Sequence, residues 1–182
     1  SEVDEDLKRL EDRVREYEDR VREDIRRLEE DLKRLRKRIE DSIEEMRRTL
    51  EEVKEDVRRE GPDDRLREEL RERNERHRDE LRREAERVEK KLRDMKRKLE
   101  RSHEEVKKEL EEVRKKAKKD NLDRDRLTKL REVLERLEKR IREIDEEIKR
   151  VLERVEKEIR DALRKIEKVN EDVEKALRDI LR

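Results

Sequence analysis

Apolar residues in this chain recur at steps of 4, 3, 4, 3 and 4, beginning with Val3, Leu7, Leu10, Val14, Tyr17 and Val21 and continuing without a break to Val57. Five steps cover 18 residues, which matches the α-helical period of about 3.6 residues per turn. A heptad seam would average about 3.5 and supercoil to the left, and an 11-residue repeat about 3.67 and supercoil to the right. The observed spacing therefore predicts helices that pack almost without supercoil. The same lattice returns in Leu81, Ala85, Val88, Leu92, Met95 and Leu99, then position 103, then Val106 to Ala117. It appears a third time from Leu130 through Ile166, then position 170, then Val173, Leu177 and Ile180.

Two breaks divide the series. The only Gly and the only Pro are adjacent at Gly61-Pro62. Gly closes a helix in the left-handed conformation and Pro blocks its continuation. Asp63 and Asp64 follow and suit a cap or a first turn. The second break is Asp120-Asn121-Leu122-Asp123, with Asp123 as N-cap and Leu122 as a hydrophobic staple. Helices are expected near 2–60, 63–119 and 123–181, about 85–90 Å each at a rise of about 1.5 Å per residue. Turns this short make neighbours antiparallel. The expected fold is all-α, a single antiparallel three-helix bundle over 1–182.

Composition supports order over disorder. Charged residues are 66% of the chain and apolar ones 27%, a balance that alone suggests disorder. Yet 60 basic residues offset 60 acidic ones, and the apolar residues are regularly placed. Five seam positions in every 18 residues is 28%, so one narrow stripe per helix uses nearly all the apolar content. Little is left for docking anything else. Zero net charge argues against nucleic acid, which needs a basic stripe. The basic cluster Arg114 to Lys119 closes a helix, where cations oppose the dipole. No apolar run of about 18 residues is present to span a membrane, and no signal peptide is evident. Without Cys there is no disulfide framework, thiolate zinc site or redox compartment to infer. The expectation is a soluble chain with no natural compartment, cytoplasmic when expressed recombinantly.

Four polar residues fall on seam positions: Asn74, His77, His103 and Asn170. Folding at the two turns places first-helix residue i beside residue 122 − i of the second helix, and second-helix residue j beside 242 − j of the third. Thr49, Asn74, His77 and Asn170 then form one candidate hydrogen-bonded cluster, and Tyr17 with His103 a second. The alternative is that they are core-edge residues reaching water. Buried polar groups must be satisfied, and such clusters can fix register or topology. Charging a histidine buried there would cost stability in acid.

Metal and catalytic readings fail on spacing. His77 and His103 are 26 residues apart on one helix, about 39 Å at the helical rise, so they cannot share an ion. His103-Glu104 lacks the second His four residues on that a zinc-protease helix needs. Carboxylates on solvated faces are i,i+4 partners for Lys and Arg, and no phosphate loop or Ser–His–acid arrangement occurs. No catalytic residue, cofactor or metal is expected.

The near-equal helices, capped turns, single Gly-Pro and strict 18-residue lattice resemble de novo designed single-chain three-helix bundles built on untwisted coiled-coil geometry. The resemblance covers the whole chain and implies a hyperstable monomeric scaffold that requires no partner, with no substrate and no enzymatic activity. Two alternatives stand beside it. One is a domain-swapped form that closes the same seams between chains. The other is an interaction module pairing through the extra third-helix residues Leu127, Val133, Val151, Leu163, Val169, Ala176 and Leu181, which could equally widen the core contact of that helix.

Overall fold

A computed structural model describes residues 2–181. These form three helices: α1 (Glu2–Glu60), α2 (Asp64–Lys119) and α3 (Arg124–Ile180). No helix among the described residues is long and apolar enough to cross a membrane.

The helix ends follow from local chemistry. The Gly61 N–H bonds to the Val57 carbonyl at 2.9 Å, with Gly61 at φ 85°, the left-handed region that glycine enters without steric cost. Asp63 then caps α2 by accepting from the Arg65 N–H at 2.9 Å, and Asp123 caps α3 by accepting from the Arg126 N–H at 2.9 Å. Each carboxylate satisfies one of the first-turn donors that a helix leaves without an internal partner.

The helices contribute to two compact units. One combines α1 through Arg27 with Leu92–Arg154; the other combines Leu28–Lys91 with α3 from Val155 onward. In the first, Leu10, Val14 and Val21 of α1, Leu92, Leu99 and Val106 of α2, and Leu134, Ile141 and Ile144 of α3 are buried. In the second, Leu28, Leu35 and Ile39, with Leu81 and Val88 and with Val155, Ile159 and Ile166, do the same. Near the first turn, Met46, Val53, Leu70, Val173, Leu177 and Leu181 make one cluster, with Leu50, Val57 and Leu66 packed against it. Every residue on the three seams is buried or half-buried. No large hydrophobic residue among those described is exposed.

Ion pairs beside the seam report the pairing of α1 with α2. Asp6–Lys116 (2.7 Å), Arg13–Glu109 (2.9 Å) and Asp24–Lys98 (3.9 Å) do so in the first unit. Asp31–Lys91 (2.8 Å) and Arg38–Glu84 do so in the second. In all five the two residue numbers add to 122, the register that folding at Gly61-Pro62 requires. The α2–α3 pairing stays close to the expected 242 at Asn74 and departs from it toward His103. Asn74 meets Asn170, a total of 244, and His103 meets Asp145, a total of 248. Four residues (120–123) separate α2 from α3, against three (61–63) at the first turn, which gives α3 room to enter displaced along α2.

Candidate functional site

A polar side chain inside an apolar stripe loses its water and must find a partner within the protein. In the second unit Asn74 and Asn170, 3% and 6% exposed, are the only buried polar residues among those described. They meet each other: Nδ2 of Asn74 donates to Oδ1 of Asn170 at 2.7 Å, joining α2 to α3.

The other two members expected in this cluster behave differently. Thr49 does not reach it; its hydroxyl donates to the Glu45 carbonyl of its own helix at 3.0 Å. A helical threonine always has that i−4 carbonyl in reach, so the local bond wins over a cross-helix one. His77 is half-buried and, with Ser42, Arg78 and the two asparagines, lines a cavity of about 20 Å³. Its ring makes no hydrogen bond among the described residues.

In the first unit Tyr17 and His103 approach each other, with ring centroids 6.4 Å apart and planes tilted by 53°. They do not bond directly. Both converge on Asp145 of α3. The Tyr17 hydroxyl donates to Asp145 Oδ1 at 3.3 Å, and His103 Nδ1 lies 3.0 Å from the same oxygen. The imidazole sits off the line of a hydrogen bond, so the two groups approach closely without bonding. The His103 side chain is 17% exposed and faces the Asp145 carboxylate.

The three groups perturb one another. Burial, then the adjacent Asp145 charge, then the hydrogen bond to it push the Tyr17 phenol well above its ordinary value. Burial raises the Asp145 carboxyl, and His103, Tyr17 and Lys107 pull it partly back. A raised folded-state value means stability present at low pH and lost as pH rises through that value. For Asp145, the ionised form therefore carries a cost at neutral pH that acid relieves. For Tyr17, the loss begins above the unfolded phenol value of about 10. Because Tyr17 is the only tyrosine, phenolate absorbance titrates this group alone. The folded chain is expected to titrate well above the same chain in denaturant, and Tyr17→Phe to flatten the alkaline loss of stability. Coincident titrations in the folded and denatured chains would contradict the contact.

Asp145 carries no sequence signal: it stands one residue past a seam position, after Ile144, as one carboxylate among 60 acidic residues. Of the extra third-helix residues, Leu181 is buried, and Leu127, Val133, Val151, Leu163, Val169 and Ala176 are half-buried. No group of three or more His, Cys, Asp or Glu able to hold a metal ion occurs among the described residues.

No family model matches this chain, and no curated protein matches it in sequence. Among solved structures it is similar to a "Computationally designed three helix bundle", with a TM-score of 0.54 and 18% identity over 98% of this chain and 92% of that one. At that identity the likeness speaks to architecture, and the fold of this chain is that of a three-helix bundle.

Proposed function

We propose that the chain is an idealised designed scaffold: a very stable monomer whose role is its own architecture, with no substrate, cofactor or partner required. One observation carries this reading. All seam positions are buried or half-buried within a single chain, and no large apolar residue among those described is exposed. Recognition of a macromolecular partner ordinarily uses an exposed apolar patch or a single-sign charged face. Of the residues on which a docking role would rest, Leu181 is buried and the other six are half-buried.

The untwisted, 18-residue geometry belongs to the same reading. Supporting it, the pair Glu18–Arg140 recurs with reversed polarity as Arg36–Glu158, 18 positions later on both helices. The kinship in fold with a computationally designed bundle supports it as well.

Guanidinium unfolding followed by circular dichroism tests the proposal. A scaffold of this kind unfolds with a midpoint above about 5 M. A midpoint of about 2 M would place the chain among ordinary domains and remove the reason to regard stability as its purpose.

A further inference from the structure

The apolar seams follow one lattice on all three helices, so they do not distinguish the observed turn direction of the bundle from its mirror-handed alternative. In either hand each helix buries the same stripe. The flanks beside the seams do differ.

On α1, the flank toward α2 carries Asp6, Asp24, Asp31 and Glu45, which meet Lys116, Lys98, Lys91 and Arg73. Arg13 and Arg38 reverse the sign there, against Glu109 and Glu84. On α3, the flank toward α2 carries Glu138, Asp145 and Glu167, which face Arg114, His103, and Arg78 with Arg82. Thus α2 presents Lys and Arg side chains from both of its flanks to two largely acidic neighbours. The third interface, α1 with α3, is held by the opposite-sign pairs Glu18–Arg140 and Arg36–Glu158.

Inverting the hand exchanges the partners of every flank. The acidic flank of α1 that now faces α2 would face α3, and the acidic flank of α3 would face α1. Asp6, Asp24, Asp31 and Glu45 would then lie along Glu138, Asp145 and Glu167, with Arg13 and Arg38 interspersed among them. We propose that these flank charges select the hand of the bundle. Single exposed ion pairs contribute little to stability. The choice of hand, however, compares two packings with the same apolar burial, so a modest difference summed over many pairs decides it. The side chains of Asp6, Asp24 and Asp31 are only 15–20% exposed, which limits the screening of like-charge repulsion.

The native chain has no cysteine, so introduced pairs can report the hand. Glu18→Cys/Arg140→Cys is adjacent in the observed hand. Glu45→Cys/Glu167→Cys joins the two acidic flanks and is adjacent only in the mirror hand. Each pair is equilibrated in a glutathione buffer and its disulfide fraction converted to an effective thiol concentration. Adding Asp6→Lys, Asp24→Lys and Asp31→Lys opposes α2 in the observed hand and attracts α3 in the mirror one. The expected result is a fall of at least about tenfold for the 18–140 pair and a comparable rise for 45–167. Unchanged values would overturn the proposal. So would a fall of both pairs to denatured-chain levels, since the charges would then stabilise without selecting. The milder triple Asp→Asn variant should move both pairs the same way by less, and no movement there would also overturn it.

Discussion

Leu35→Ala is expected to lower the unfolding free energy by about 2–5 kcal/mol, read as a drop in the guanidinium midpoint at unchanged slope. Leu35 is fully buried, at 0% exposure. The effect follows from the narrowness of the stripe. With five seam positions in 18, no second apolar layer lies behind Leu35 to move into the space it leaves, so both the lost transfer energy and the residual cavity count. Removing a side chain of similar length from the polar face should be nearly silent. Arg48, 75% exposed and paired only with Glu44 of its own helix, is expected to change stability by no more than about 0.5 kcal/mol when replaced by Ala. Equal losses for the two substitutions would mean that charge networks, and not the seam, hold the bundle together.

Asn74→Leu alone should cost about 1–3 kcal/mol, because Asn170 would remain buried with its Oδ1 lacking a donor. Asn170→Leu alone should cost a similar amount by stranding Asn74. The double variant exchanges the buried amide pair for apolar contact, and should recover most of the loss or exceed the parent. The measurement is a double-mutant cycle by denaturant unfolding, with a coupling of the same order as the single losses. A double variant whose loss equals the sum of the singles would show that the 2.7 Å bond couples nothing.

The parts of this architecture that could be read from the residues are those written in periodicity and in special backbone chemistry. The 4-3-4-3-4 spacing marks each buried stripe because burial on a helix recurs at the helical period. Gly61-Pro62 and the two capping aspartates mark the turns because few other residues satisfy those backbone positions. The α1–α2 register then follows from a three-residue turn. Asn74 and Asn170 stood out because an amide on an apolar lattice is conspicuous.

What stayed hidden has a common cause. In a chain where two residues in three are charged, a carboxylate such as Asp145 carries no signal of its own, and its role depends on where α3 enters after residues 120–123. Thr49 was misplaced for the opposite reason: position suggested a cross-helix partner, while a carbonyl one turn back was always nearer. Flank charges are legible residue by residue, but which flank faces which helix is not, because the seams are alike. That information exists only once the three helices have turned one way.

The scaffold reading requires that one chain close its own seams. Multi-angle light scattering on the eluting protein, over a wide range of loading concentration, tests it most directly. A chain that closes its own seams has a mass of 22.9 kDa at every concentration. A mass of twice that value, or one that rises with concentration, would contradict it, because the seams would then be closed between chains.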